Sequence, residues 1–225
     1  MAEIENIGAC VFDAYGTLFN VNSAAAQCQD ELGDKWMPLS QLWRDKQLQY
    51  TWLRSLMGDH YAPFWQLTQD ALDFALEAHE IDNPALRQKL LDIYFELDAY
   101  PEVPAVLSKL KAAGIKTATL SNGSQDMLDA AVGSSGIALD AVISVDPIKV
   151  FKPDFRVYEL GCEVLGVSKE QVCFMSSNGW DAWGAANFGF KVVWINRSGQ
   201  PLERLPSGPG HILSDLNGLP PLLGL

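Results

Sequence analysis

Four short segments hold the side chains whose types and spacing could do chemistry: Asp13 in Ala9-Cys10-Val11-Phe12-Asp13-Ala14-Tyr15-Gly16-Thr17-Leu18, the pair Ser121-Asn122, the pair Lys152-Pro153, and Ser176-Ser177-Asn178-Gly179-Trp180-Asp181. An apolar run delivers Asp13 to a strand end and a Gly then turns the chain, which is where parallel sheets place reactive groups. Two positions later stands Tyr15, so no second carboxylate adjoins Asp13 to act as an acid or to help hold a divalent cation. Ser121 and Asn122 fall where a strand hands over to a helix, and side-chain groups together with free backbone N–H donors there suit an anion. The proline after Lys152 biases that lysine toward an extended loop conformation able to reach into a crevice. Asp181 supplies a further carboxylate near the start of a helix. Each residue also has an ordinary structural use: Asp13 and Asp181 as caps, Ser121 as an N-cap, Lys152 as a surface cation.

The elements that must bring these segments together are legible as short β-rich apolar runs at 7–13, 115–120, 141–145, 172–176 and 191–195. Most are separated by segments with helical spacing, which predicts an α/β fold with a parallel sheet. Strand ends of one such sheet converge on one crevice. The gap between the first and second runs is too long for one crossover. It carries aromatic-rich helical pattern, with Leu39, Leu42 and Trp43 and then Tyr50, Leu53 and Leu56 predicted along one face. We therefore expect a Rossmann-like core of residues 1–19 and 99–225 and an inserted helical cap domain of residues 20–98. Gly114 and Gly166 are expected helix stops. The Pro- and Gly-rich stretch 201–225 is expected to give a last short strand near His211-Ile212-Leu213 and a loosely held tail.

Composition narrows the partners. The 225 residues are 48% hydrophobic and 20% charged, ordinary for a globular chain. With 28 acidic against 16 basic residues the net charge is −12, which argues against nucleic acid and anionic membrane as partners. An anionic substrate would need individual Arg and Lys side chains to attract it. Cys10, Cys28, Cys162 and Cys173 form no C-x-x-C pair and read as reduced structural thiols, and no apolar run approaches a bilayer span. The expected location is the cytoplasm. His60, His79 and His211 show no metal-ligand spacing.

Taken together, the four segments resemble the haloacid dehalogenase superfamily, and within it the (S)-2-haloacid dehalogenases. The resemblance extends over nearly the whole chain, including Leu42-Trp43-Arg44-Asp45-Lys46-Gln47-Leu48-Gln49-Tyr50-Thr51-Trp52-Leu53-Arg54. It implies hydrolysis of short (S)-2-haloalkanoates to (R)-2-hydroxyacids, with Asp13 displacing halide from C2 and water then cleaving the aspartyl ester. It further implies that Lys152 keeps Asp13 ionised and oriented, and that Asp181, aided by Ser176 and Asn178, positions and deprotonates the water. Arg44 with Asn122 would hold the departing halide, Ser121 and Asn122 the substrate carboxylate. Phe64 and Trp180 would wall the pocket, with Ala14, Tyr15, Thr17 and Leu48 also against substrate and the Tyr158 hydroxyl joining the lysine cluster.

Related phosphatases carry a second Asp where Tyr15 stands and acidic residues where Ser176-Ser177-Asn178 lies, so the resemblance favours a reaction without metal or organic cofactor. A magnesium-dependent phosphatase and a non-catalytic binding protein on the same fold are the rivals. Two residues depart from the family pattern, Trp183 where a small residue is usual and Asp45 where Gln is, and both are expected to reshape the pocket. The aromatic-rich cap makes a homodimer an expectation as well.

Overall fold

A computed structural model of the chain describes residues 4–21, 23–95 and 97–225. Strand β1 (Ala9–Phe12) is followed by the helices α1 (Ser23–Gln27), α2 (Gln29–Leu32), α3 (Trp36–Leu56), α4 (Phe64–Ala78) and α5 (Pro84–Phe95). Alternating elements come next: α6 (Val103–Ala112), β2 (Lys116–Ser121), α7 (Gln125–Ser135), β3 (Ala141–Ser144), α8 (Phe155–Leu165), β4 (Val172–Ser176), α9 (Gly179–Phe188), β5 (Lys191–Ile195), β6 (His211–Leu213) and α10 (Leu219–Leu222). The strands form one parallel sheet in the order β3-β2-β1-β4-β5-β6. It is the α/β, Rossmann-like architecture that the apolar runs predict, including the short last strand.

β1 lies at the centre, with Cys10 beside Thr117 on one neighbour and Cys173 on the other. A strand buried on both faces has no polar side to alternate with, which is why Ala9–Phe12 is continuously apolar and fully buried. The strand order reverses direction at β1, and the crevice outside the C-terminal ends opens at that point. The chain leaves and re-enters the sheet side by side. Phe19 and Ala99 form an antiparallel bridge, the Asn20 N–H donates to the Asp98 carbonyl at 3.1 Å, and the Tyr100 N–H donates to the Leu18 carbonyl at 2.8 Å.

Two expectations are corrected. In α3 the buried face runs through Leu39, Trp43, Gln47 and Thr51, whereas Leu53 is exposed and Leu56 is 84% exposed. The i, i+4 stripe continues through polar residues because Gln47 donates to Thr68 Oγ1 at 3.0 Å and accepts from the Tyr94 hydroxyl at 3.3 Å, while Thr51 bonds the Leu48 carbonyl at 2.7 Å. The C-terminal tail is not loose: Leu216, Leu219 and Leu222 are buried, and the Ile4 N–H donates to the Leu222 carbonyl at 2.8 Å. Among the described residues no helix is long and apolar enough to cross a membrane.

Candidate active site

Asp13 is placed by β1. Its N–H continues the ladder onto the Met175 carbonyl of β4 at 2.8 Å, and the chain then turns so that the Ala14 carbonyl accepts from the N–H groups of Thr17, Leu18 and Phe19. Gly16 takes φ +89° in this turn, and a Cβ on it would stand 3.0 Å from Ser177 Oγ, so glycine is needed both for its backbone and for its smallness. The result is a buried carboxylate, 6% exposed, at the mouth of the switch point.

The two oxygens of Asp13 have different partners. Oδ2 accepts from the Asn178 amide at 2.7 Å, the Thr17 hydroxyl at 3.0 Å and the Ser176 hydroxyl at 3.4 Å. Oδ1 faces Lys152 Nζ at 3.2 Å. The same ammonium donates to Asp181 Oδ2 at 2.8 Å and lies 4.9 Å above the Phe174 ring. Asp181, in the first turn of α9, accepts from the Tyr158 hydroxyl at 2.8 Å on its other oxygen. Lys152 is itself anchored, its N–H donating to Asn122 Oδ1 at 2.9 Å, and the Lys152–Pro153 bond is cis.

Burial decides the titration here. Desolvation pushes the Asp181 carboxyl above its ordinary value, even against the attraction of Lys152. For Lys152 burial acts downward, but Asp181 and then Asp13 outweigh it, and the ammonium is held above the ordinary lysine value. Burial also raises the Tyr158 phenol, reinforced by Asp181, so it stays a neutral donor.

The inserted helices close the crevice from the other side. Arg44 of α3 donates from Nη2 to Asn178 Oδ1 at 3.3 Å. Leu48 follows one turn after Arg44 and shares its face. Tyr15, raised in pKa by burial first and by Tyr94 next, stacks on Phe64 and on Tyr94 with ring centres 6.0 Å apart in each case. Trp180 meets Trp52 of α3 edge to face at 5.4 Å. Trp52, Phe151, Lys152, Trp180 and Leu205 border a cleft of about 440 Å³.

The fold thus assembles Asp13, Thr17, Lys152, Tyr158, Ser176, Asn178 and Asp181 into one bonded cluster, with Arg44 attached through Asn178. Ser176 and Asn178, expected to aid Asp181, both hydrogen-bond Asp13 Oδ2, and Asn178 also donates to the Tyr15 carbonyl at 3.2 Å. Asn122 accepts from the backbone of Lys152, and Arg44 meets Asn178. Ser121 accepts from the Gly123 N–H at 3.0 Å, and the N-cap position of α7 is Ser124. Ala14 is buried and contributes its carbonyl to the turn. The two departures lie elsewhere: Trp183 packs edge to face on Trp194 at 5.3 Å, and Asp45 is exposed.

Sequence reasoning missed several participants. Ser177 donates from its N–H to Thr17 Oγ1 at 2.8 Å. Ser55 accepts from the Phe151 N–H at 3.1 Å, and Tyr61 donates to Asp146 while stacking on Phe151 at 5.0 Å. Only Ser177 had a local signal, since it lies inside the last motif.

Comparison with known proteins follows the same lines. A profile of the haloacid dehalogenase-like hydrolases matches residues 7–189. The chain is 50% identical over 223 residues to (S)-2-haloacid dehalogenase 1 of Pseudomonas sp. (strain CBS-3), covering 98% of each protein. It is 47% identical to (S)-2-haloacid dehalogenase 4A of Burkholderia cepacia, covering 98% of this chain and 96% of that protein. The structure of L-2-haloacid dehalogenase from Xanthobacter autotrophicus with chloropropionic acid covalently bound superposes with a TM-score of 0.89 at 38% identity, covering 97% of this chain and 98% of that one. With a strand-end carboxylate held by one lysine and three neutral donors, and with relatives this similar along nearly their full length, the chain belongs to the haloacid dehalogenase-like hydrolases, among the (S)-2-haloacid dehalogenases.

Proposed function

We propose that this chain hydrolyses short (S)-2-haloalkanoates to (R)-2-hydroxyacids through an aspartyl ester. The observation that carries the reading is the unequal treatment of the two Asp13 oxygens. Oδ2 is saturated by Asn178, Thr17 and Ser176, which leaves Oδ1, steered by Lys152, as the oxygen free to attack C2. The C–halogen bond breaks as the Oδ1–C2 bond forms, C2 inverts, and the halide departs toward Arg44. A fixed cation where negative charge develops needs no reorganisation during the step.

In the second step Oδ2 is the ester carbonyl oxygen. Its three donors already surround the position where an oxyanion forms when water adds to the Asp13 carbonyl carbon. Asp181 takes one water proton and passes it to the C2 oxygen, which leaves as the hydroxyl of the product, and the second water proton is released as Asp13 returns to a carboxylate. One oxygen of water stays on Asp13, and the net products are hydroxyacid, halide and a proton. Lys152 bridges Asp181 and the Asp13 side chain, and Tyr158 orients Asp181. Ser121 and Asn122 grip the substrate carboxylate, and Tyr15, Leu48, Phe64 and Trp180 wall its alkyl part.

Residues 20–98 act as a cap on a core of residues 1–19 and 99–225, their aromatic contacts excluding water and so strengthening the polar contacts inside. A homodimer is part of the reading, supported by Leu53, Leu56 and Met57 standing exposed at one end of α3. So is a cytoplasmic, reducing location, in keeping with four free cysteines.

The test is single turnover of (S)-2-chloropropionate in heavy-oxygen water with excess EDTA. Label entering Asp13 before product supports the ester; label appearing directly in product overturns it. Phosphate release from a generic ester with magnesium, without halide release, would favour the phosphatase.

A further inference from the structure

The turn that bears Asp13 is gripped from behind by a residue outside the cluster above. Arg197 stands just past β5, and its Nη2 donates to the Thr17 carbonyl at 2.9 Å and to Glu102 Oε1 at 2.7 Å. Its guanidinium carbon lies 3.7 Å from the centre of the Tyr100 ring. The Arg197 and Glu102 side chains are only 15% and 11% exposed, so bulk salt screens the pair weakly.

These partners sit on both crossings of the chain. Thr17 precedes the exit toward the inserted helices, while Tyr100 and Glu102 follow the return, and Tyr100 also donates its N–H to the Leu18 carbonyl at 2.8 Å. Thr17 is therefore bonded at both ends, its carbonyl by Arg197 and its hydroxyl on Asp13 Oδ2 at 3.0 Å. Both bonds come from one nitrogen, and the planar guanidinium lies on the Tyr100 ring while it donates, a stacking that a compact ammonium does not reproduce.

We propose that Arg197 is a positioning residue for dehalogenation. Through Thr17 it fixes the attack angle of Asp13, and through Glu102 and Tyr100 it couples that turn to the point where the inserted helices rejoin the sheet. The proposal rests on the reading of Asp13 as nucleophile. In-line displacement makes the rate sensitive to small displacements of the attacking oxygen, so the effect belongs in kcat and not in KM.

The experiment measures halide release from (S)-2-chloropropionate, with thermal midpoints, for wild type, Arg197→Lys, Glu102→Gln, Thr17→Val and the Arg197→Lys/Thr17→Val pair. The expected result is a kcat lowered on the order of 10- to 100-fold in Arg197→Lys and about 10-fold in Glu102→Gln, with KM within about twofold. In the Thr17→Val background the further loss on Arg197→Lys should shrink to about twofold, because the route to Asp13 is already cut. A purely structural role would lower the midpoint and leave kcat of the folded enzyme at the wild-type value; that unchanged kcat, or a kcat loss in Arg197→Lys that multiplies undiminished with that of Thr17→Val, overturns the proposal. Glu102→Gln keeps the side-chain shape and carries the test if Arg197→Lys does not fold. A wild type that releases no halide sinks the underlying reading, whereas an active wild type with equally active variants sinks this inference alone.

Discussion

At the scale of single residues, one buried ammonium separates two buried carboxylates, and each of the three depends on the other two. Removing the cation with Lys152→Met leaves Asp13 and Asp181 uncompensated at low dielectric, which should cost about 3–5 kcal/mol in urea unfolding and abolish halide release. The titration follows from the shifts. In the proposed hydrolysis step Asp181 must be ionised to take a proton, and burial raises its pKa, so the acid limb of kcat should lie above the ordinary aspartate value of 3.8 and should vanish as a separate limb in any residual activity of Asp181→Asn. For stability, a raised carboxyl means the folded state holds its proton longer, so this contribution is present below 3.8 and is lost as pH climbs toward the folded value. The raised Lys152 ammonium contributes fully below 10.5 and loses its contribution only as pH rises through its higher folded value. Stopped-flow rates and unfolding midpoints across pH check both signs. Asp13, Lys152 and Asp181 were legible because each adjoins a local mark: an apolar run with a Gly, a following Pro, a helix start. Arg197 was not, because its role exists only where positions 17, 100, 102 and 197 meet.

At the scale of elements, α3 shows what periodicity can and cannot read. Hydrophobic residues alone trace a face through Leu53 and Leu56, yet the helix buries Leu39, Trp43, Gln47 and Thr51. The difference lies in polar satisfaction: Thr68 of α4 and Tyr94 of α5 meet Gln47, a pairing between segments that no single helix announces. Equilibrium unfolding should separate the two faces. Leu39→Ala should cost about 2–5 kcal/mol as a core truncation, and Gln47→Ala about 1–3 kcal/mol by removing the acceptor of the buried Tyr94 hydroxyl. Measured on the single-copy species, Leu56→Ala should stay within about 0.5 kcal/mol. A Leu56→Ala loss in the single copy comparable with that of Leu39→Ala would contradict the orientation of the helix.

At the scale of the whole molecule, the proposed dimer is checked by sedimentation, which should give twice the chain mass of 24.7 kDa and fall to one copy on Leu56→Glu. A wild type sedimenting as a single copy would remove the dimer from the proposal without touching the chemistry. The sequence by itself determined the sheet, since buried parallel strands need unbroken apolar runs and these are local properties. It also determined which carboxylate ends the first strand, and the stretch of chain that leaves the sheet before the second. Only the tertiary structure decided that Ser176 and Asn178 hydrogen-bond Asp13, that Tyr15 stacks beneath the inserted helices, and that the C-terminal segment docks its leucines. Those outcomes depend on which distant groups share a low-dielectric space and on which donors are left to satisfy each buried acceptor. Both are settled by packing across segments far apart in the chain, where spacing along the sequence carries no information.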